Sequence, residues 1–167
     1  MNFKLPRMPW TALQGRVRGM FNLNDPTNRD RMAMIEAGRA MVREHPLTGV
    51  GPDMVERVYP RYRVPWAVNP TNPHLHNVPM QIAAERGLPA LALWLWFIGA
   101  LTWSVWQRLP RVRGPALAVG ALSAITAMLS AGLFEYNFGD SEFLMLLLLL
   151  ITLPFAAGRP TDDAAHA

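Results

Sequence analysis

A short segment near the middle of the chain places two imidazoles and an amide close together, in His74, His76 and Asn77. Unperturbed imidazole titrates at about pH 6.5, so either histidine suits general-base chemistry at neutral pH. Asn77 is predicted to cap a helix from about Val78 to Arg86. That helix sets His76 just ahead of a positive helix end, which favours the neutral ring. His76 is therefore the predicted catalytic base; the alternative is a histidine that only hydrogen-bonds the turn.

His74 is the second catalytic candidate, either as the base itself or as a group that orients His76. A His-x-His pair can also bind a metal ion, with His45 as a third ligand. Because the chain contains no cysteine and no glutamate stands at a suitable spacing, no metal is predicted.

Three polar side chains belong to the predicted helix and its cap. Asn77 is expected to serve the helix end rather than a substrate. Gln81 and Glu85 follow it on one helix face, so Glu85 is a candidate for orienting a histidine. A solvated helix face is the competing interpretation. The acidic residues further along are expected mainly to set membrane topology, with lining the site as a minor alternative: Glu135, Asp140 and Glu142.

The first half of the chain, residues 1–87, is predicted to be a loop region outside a membrane with short helices. Apolar spacing, capping residues and prolines place these helices at about 27–45, 52–59 and 78–86. Thr27 or Asn28 is the expected cap of the first helix. Between the first two helices, Gly49 and Gly51 form only a weak phosphate-loop signal, and a tight turn is favoured.

The second half is predicted to cross a membrane three times. Residues 88–107, 115–136 and 141–157 are mostly apolar and close to the length of about 20 residues that a spanning helix needs. A soluble helical bundle is disfavoured, because little protein remains to cover three such helices. The predicted fold class is all-α: a polytopic membrane protein with three C-terminal transmembrane helices and a helical extramembrane loop region.

Charge predicts how these spans are oriented. Residues 1–87 carry twelve of the sixteen Lys/Arg and seven of the twelve Asp/Glu. The connection 108–114 has three arginines and no acid, whereas 135–142 has no basic residue. The positive-inside rule then places 108–114 and the tail 158–167 in the cytoplasm and residues 1–87 outside. Residues 1–87 are called the head below, and their basic charge suits phosphate, pyrophosphate or anionic lipid headgroups. No nucleic-acid partner is predicted, because no motif for one accompanies the charge.

The start of the chain lacks the apolar segment of a signal peptide. A basic head of this length without an export signal is interpreted as a loop between two spans. The chain is therefore expected to be part of a longer protein with further N-terminal transmembrane helices.

The motifs of the head resemble those of the O-antigen ligase and polymerase family. The resemblance covers about residues 25–155. His76, Asn77 and Gly87 fit the family's loop pattern, and Ala90 departs from it while keeping a small residue. The other matching positions are Arg31, His45-Pro46-Leu47-x-Gly49-Val50-Gly51-Pro52, Tyr59-x-Arg61, His74, Gln81, Glu85 and the segment Glu135-Tyr136-Asn137-Phe138-Gly139-Asp140-Ser141-Glu142.

The resemblance implies a glycosyltransferase that moves a glycan from undecaprenyl diphosphate to an acceptor hydroxyl, such as that of lipid A–core. It places the reaction at the periplasmic face of the bacterial inner membrane, with no metal or nucleotide cofactor and with membrane lipid as a further partner. Arginine suits a diphosphate because its hydrogen bonds are bidentate. Arg31 matches the family's loop arginine, and Arg61 and Arg63 are the second candidates; a solvated surface charge is the alternative for each.

Other interpretations stay open at this point. The loop pattern fits O-antigen polymerases and protein O-oligosaccharyltransferases as well as ligases. From a different class, the chain is a non-catalytic truncated membrane remnant or assembly subunit. A basic binding domain on a membrane anchor is disfavoured by the proline content and small apolar core of the head.

Overall fold

A computed structural model describes residue 22 and residues 25–109 and 115–157. Within these residues all regular secondary structure is helical and there is no strand, which confirms the all-α prediction. The expected cytoplasmic tail 158–167 and part of the connection 108–114 lie outside the described residues. In chain order the helices are α1 (Pro26–Glu44), α2 (Val55–Tyr62), α3 (Val78–Trp106), α4 (Ala116–Gly132) and α5 (Ser141–Ala156), with a 3-10 turn at Asn137–Gly139 before α5.

Helix α1 begins one residue earlier than predicted, because Asp25 caps it rather than Thr27 or Asn28. The carboxylate of Asp25 accepts a hydrogen bond from the backbone N–H of Thr27 at 2.9 Å, and Pro26 stands in the first turn. Proline is favoured there, since that N–H has no partner within the helix. The apolar face of α1 packs on the segment before α3 and on α3 itself, forming the core of the head: Met34, Ala37, Met41, Val55, Tyr59, Leu75 and Ala84.

Helix α2 lies about three residues later than the predicted 52–59 and runs through Pro60. Its delayed start follows from a turn at Gly51–Asp53, in which Met54 N–H bonds to the carbonyl of Gly51 at 3.3 Å. A proline inside a helix removes one hydrogen bond. The helix continues because it buries Val55 and Tyr59 completely in the core of the head.

Helix α3 consists of two helical segments joined at Gly87, whose φ of 81° is outside the helical region. The loop 46–51 fits into this joint. The N–H groups of Val50 and Gly51 bond to the carbonyls of Ala84 and Glu85 at 2.8 and 3.0 Å. A Cβ on Gly49 would lie 2.2 Å from the carbonyl carbon of Glu85. The two glycines of this loop therefore make a tight backbone joint, and the N–H groups of Val50 and Gly51 are occupied by helix carbonyls.

One of the described helices, α3, is long and apolar enough to cross a membrane, judged by length and composition. That observation is weak alone, because a buried helix of a soluble protein passes the same test. In α3, however, only 17% of the apolar window is buried. Helices α4 and α5 are also apolar but have 17 and 16 residues. Three spans are therefore not confirmed and stay a prediction.

Helix α4 ends at Gly132 rather than continuing to the predicted Tyr136. At this point the helix end closely approaches the start of α3, since a Cβ on Gly132 would lie 3.1 Å from the side chain of Val78. The amide of Asn77 donates to the carbonyl of Leu133 at 3.0 Å. The chain then leaves the helix and crosses in front of the turn that carries the two histidines, bringing Glu135 to it.

Candidate functional site

The predicted base sits in a tight turn immediately before α3. His76 has a φ of +47°, in the left-handed region that non-glycine residues rarely adopt. The next residue, Asn77, caps the helix: its side-chain oxygen accepts the N–H of Met80 at 2.8 Å. A left-handed non-glycine residue costs about 1–3 kcal/mol and persists only where the surroundings enforce it. The turn therefore fixes the backbone of His76 at the positive end of α3.

The carboxylate of Glu135 holds the ring of His76. Nδ1 of His76 lies 2.6 Å from Oε1 of Glu135, which also accepts the backbone N–H of Tyr136 at 3.1 Å. Burial alone raises the pKa of Glu135, but the N–H of Tyr136 and the charge and hydrogen bond of His76 outweigh it and lower the pKa. An ionised carboxylate only accepts hydrogen bonds, so Nδ1 of His76 carries the proton of this contact, and the lone pair of the neutral ring is then on Nε2.

The second histidine packs against the first. The ring centroids of His74 and His76 are 4.2 Å apart with the planes nearly perpendicular, and the ring of Tyr136 lies 5.8 Å from His74. Burial lowers the pKa of His74, and the neighbouring His76 lowers it further against the opposing charge of Glu135. His74 is therefore neutral at pH 7. Among the described residues, its buried Nδ1 has no hydrogen-bond partner.

Gln81 and Glu85 are each 1% exposed, so the competing interpretation of a solvated helix face is wrong. The face is buried because α1 packs on this part of α3. Gln81 accepts the N–H of Leu75, between the two histidines, at 2.8 Å and donates to Glu85 at 2.8 Å. Arg86 pairs with the other oxygen of Glu85 at 2.8 Å. Glu85 thus acts on the histidine turn through Gln81 and the backbone of Leu75.

A cavity of about 300 Å³ opens beside the turn, and Arg31 and His76 both line it. Its wall is held by the buried carboxylate of Asp30, which accepts the backbone N–H and the amide of Asn69 at 3.0 and 2.6 Å. The amide of Asn72 lies 3.4 Å from the same carboxylate. Asp30 was not predicted as a site residue. Its actual role is to fix residues 69–72 across the cavity.

The structure separates the two second-choice arginines from this cavity. Arg61 donates to Glu44 at 2.7 Å, its side chain is 71% exposed, and its guanidinium lies 5.4 Å from the ring of Tyr62. Arg63 is exposed as well. Neither arginine lines the cavity that His76 lines. Of the predicted cations, Arg31 is the one that the described structure brings to the base.

The groups that could ligate a metal ion differ from those considered in the sequence. His45 lies 3.7 Å from Glu44 in a separate pair. A glutamate does reach the other two histidines, but from far along the chain: one ligand atom from each of His74, His76 and Glu135 lies within 4.8 Å of the others. The assumption that no glutamate is suitably placed was therefore wrong, because spacing along the chain does not report this contact.

Glu135 is the site residue whose role sequence reasoning underestimated. It is 59 residues from His76, and its pairing depends on how the end of α4 meets the start of α3. The available signal was the acidic segment after the second apolar run. That segment matches the family pattern but carries no indication of which carboxylate faces the histidine.

Comparison with known proteins agrees with the motifs of the head. A family model described as O-Antigen ligase matches residues 7–95, which is more than half of the 167 residues and includes Arg31, both site histidines and the joint at Gly87. No curated protein and no solved structure matches the chain. The matched family consists of membrane-associated glycosyltransferases of the ligase and polymerase type. The chain belongs to the O-antigen ligase family.

Proposed function

We propose that this chain carries the catalytic loop of an O-antigen ligase that transfers a glycan from undecaprenyl diphosphate to an acceptor hydroxyl of lipid A–core. One observation above all supports the proposal: His76, held by a carboxylate at Nδ1, lines the same cavity as Arg31. A base and a permanent cation at one cavity are what a hydroxyl attack with a diphosphate leaving group requires.

In the proposed step, Nε2 of His76 takes the proton of the acceptor hydroxyl. The acceptor oxygen forms a bond to the anomeric carbon of the glycan, and the bond from that carbon to the diphosphate oxygen breaks. Undecaprenyl diphosphate leaves with the electron pair. The step balances without a metal or nucleotide, and the proton on His76 is later released to water or to the leaving group.

Glu135 supports this step by stabilising the imidazolium that forms. Its carboxylate is 2.6 Å from Nδ1, so the positive charge of His76 is compensated when the proton arrives. A positioned general base contributes about 10²–10⁴ in rate. Arg31 contributes by binding the phosphate oxygens, where a guanidinium offers two parallel hydrogen bonds.

The proposed location is the bacterial inner membrane, with residues 1–87 at the periplasmic face. The long apolar helix α3 supports a membrane-embedded protein, and its exposed apolar and tryptophan side chains suit contact with lipid: Leu93, Leu95, Trp96, Phe97, Trp103 and Trp106. The charge asymmetry between residues 108–114 and 135–142 supports the orientation. Helices α4 and α5 are proposed as two further spans, and additional N-terminal helices as the remaining wall of the lipid site.

A strain that lacks its O-antigen ligase tests the proposal. The chain is expressed alone and with any coding sequence that precedes it, and glycan attachment is read as a ladder on lipopolysaccharide. A ladder supports the ligase assignment. Polymerised glycan that stays on undecaprenyl diphosphate assigns polymerase activity instead, and glycan on protein assigns a protein transferase. Absence of all three products from both forms contradicts an active enzyme and favours a remnant.

A further inference from the structure

Two imidazoles and a carboxylate converge at the turn before α3. One ligand atom from each of His74, His76 and Glu135 lies within 4.8 Å of the others. The arrangement is built from three directions: the two histidines flank Leu75, whose N–H is fixed by Gln81, and Glu135 arrives from the end of α4. Within the described residues, the buried Nδ1 of His74 has no hydrogen-bond partner.

The donor set selects one class of metal ion. Calcium and magnesium take oxygen ligands, whereas two imidazole nitrogens and one carboxylate oxygen suit Zn²⁺ and its neighbours in the first transition row. Zinc binds such atoms at about 2.0–2.2 Å, which in a tetrahedron places them about 3.4 Å apart. The most distant pair must therefore close by about 1.4 Å. The side chain of Glu135 is 51% exposed, so it has room to shift when an ion binds.

We propose that His74, His76 and Glu135 bind one zinc-class divalent ion, and that the bound ion inhibits glycan transfer. Three protein ligands leave a fourth position for water, as in accessible zinc sites. The ion takes the place of the proton on Nδ1 of His76, which moves to Nε2 or to water, and it also binds the Glu135 carboxylate that accepted this proton. His76 then can no longer serve as the base. The binding half of this inference stands on the three side chains alone, and the inhibitory half rests on the proposed function.

Binding is tested first, on the complete 167-residue chain in lipid nanodiscs, purified without a histidine tag. Co²⁺ is titrated while its visible absorption is followed, and Zn²⁺ is then added in competition. The expected result is one ion per chain with the intense absorption of low-coordinate Co²⁺, displaced by Zn²⁺. His74→Ala and Glu135→Gln should each weaken binding at least about ten-fold, since even groups that only support ligands contribute 10- to 100-fold.

Matched controls exist for both ligand types. His45→Ala removes a histidine that pairs with Glu44 elsewhere, and Glu142→Gln removes a carboxylate in the first turn of α5. Both should bind Co²⁺ as the unmodified chain does. Circular dichroism of each variant reports folding. If His74→Ala proves unstable, Glu135→Gln still tests the site, because glutamine has the size of the glutamate side chain that it replaces. Equal affinity in the unmodified chain, His74→Ala and Glu135→Gln would overturn the site, as would the absence of saturable binding.

Inhibition is tested in membranes that show glycan transfer. Zn²⁺ at concentrations that fill the site should abolish transfer, and a chelator should restore it. In Glu135→Gln, measured against its own metal-free rate, at least about ten-fold more Zn²⁺ should be needed. Glycan transfer that continues with the ion bound contradicts the inhibitory role but does not contradict the metal site itself. Metal binding without transfer from any form contradicts the proposed function, and the inhibitory role with it.

Discussion

Nδ1 of His76 and Oε1 of Glu135 are 2.6 Å apart, although the two residues are separated by 59 positions in the sequence. The contact joins the turn before α3 to the turn after α4. A second bond, from the amide of Asn77 to the carbonyl of Leu133 at 3.0 Å, joins the same two turns. The proposed catalytic base is therefore oriented by the helix hairpin of the apolar half, while the cavity it lines belongs to the head.

The pairing of His76 with Glu135 predicts that Glu135→Gln lowers glycan transfer roughly ten-fold. The amide keeps a hydrogen bond to the ring but no longer compensates the charge of the imidazolium, so part of the 10²–10⁴ from a positioned base is lost. Initial rates at saturating donor should fall while the donor concentration at half-maximal rate stays the same. Glu142→Gln is the matched control. Equal rates for both variants would show that Glu135 has no role in transfer and acts only on membrane topology.

The position of Arg31 at the cavity predicts that Arg31→Lys weakens donor binding about ten-fold or more. Lysine keeps the charge but loses the bidentate contact, and one hydrogen bond to a charged group is worth about 1.5–3 kcal/mol. The donor concentration at half-maximal transfer rate reports the change. Arg61→Lys is the control, because that side chain is exposed and pairs with Glu44 on the surface. A larger defect for Arg61→Lys would assign the phosphate contact to Arg61 instead of Arg31.

The joint between loop 46–51 and α3 predicts that Gly49→Ala destabilises the head by at least about 1–2 kcal/mol. Its φ of +65° is left-handed, which penalises a Cβ by this amount before any clash with the backbone of Glu85. The thermal midpoint of unfolding is the measurement. Gly99→Ala is the control, since a Cβ there meets nothing within 4 Å; alanine in a helix interior is neutral or favourable by up to about 1 kcal/mol.

The same pair of variants tests the phosphate-loop alternative. A Gly49→Ala chain that unfolds at the normal temperature yet binds the donor less well would assign the loop to phosphate binding. It would also contradict the hydrogen bonds from Val50 and Gly51 to α3 as the reason for the glycines.

The pKa shifts at the site predict that stability falls as the solution becomes acidic. The pKa of His74 lies below its ordinary 6.5, so the unfolded chain binds a proton that the folded chain does not. Its contribution is complete above pH 6.5 and is lost below it. The pKa of Glu135 lies below 4.5, so its contribution is present above that pH and is lost as pH falls through the folded value.

Thermal midpoints from about pH 7.5 down to about pH 3 check this prediction, because the Glu135 contribution is lost below pH 4.5. They should decline from about pH 6.5 downward, and Glu135→Gln should flatten the decline at the acidic end. A midpoint that stays level or rises over this range would mean that neither group is linked to folding with the stated sign.

Local signals in the sequence account for the parts of the fold that depend on neighbouring residues. Asn77 was expected to cap a helix and does so, because an amide followed by a helical segment specifies its own hydrogen bond. The burial of Gln81 and Glu85 was missed. Their face of α3 is covered by α1, which lies in a distant part of the sequence, so local signals do not report its burial.

The candidate site shows the same difference between features that depend on neighbouring residues and contacts that depend on distant ones. The histidines and Arg31 were identifiable from residue type and from the family resemblance. Their partners were not: Glu135 reaches His76 only through the meeting of two helix ends, and Asp30 holds Asn69 across 39 positions. Arg61 and Arg63 had the right chemistry, but Arg61 pairs with Glu44 instead.

The central claim is that His76 is the base in glycan transfer. Its most direct test is His76→Ala in a strain without O-antigen ligase, compared with the unmodified sequence in the form that restores the lipopolysaccharide ladder. Protein abundance and membrane insertion are measured in parallel. We expect normal abundance and a loss of transfer of about 10²–10⁴, so that no ladder is visible. A ladder of normal intensity from the His76→Ala chain would contradict it.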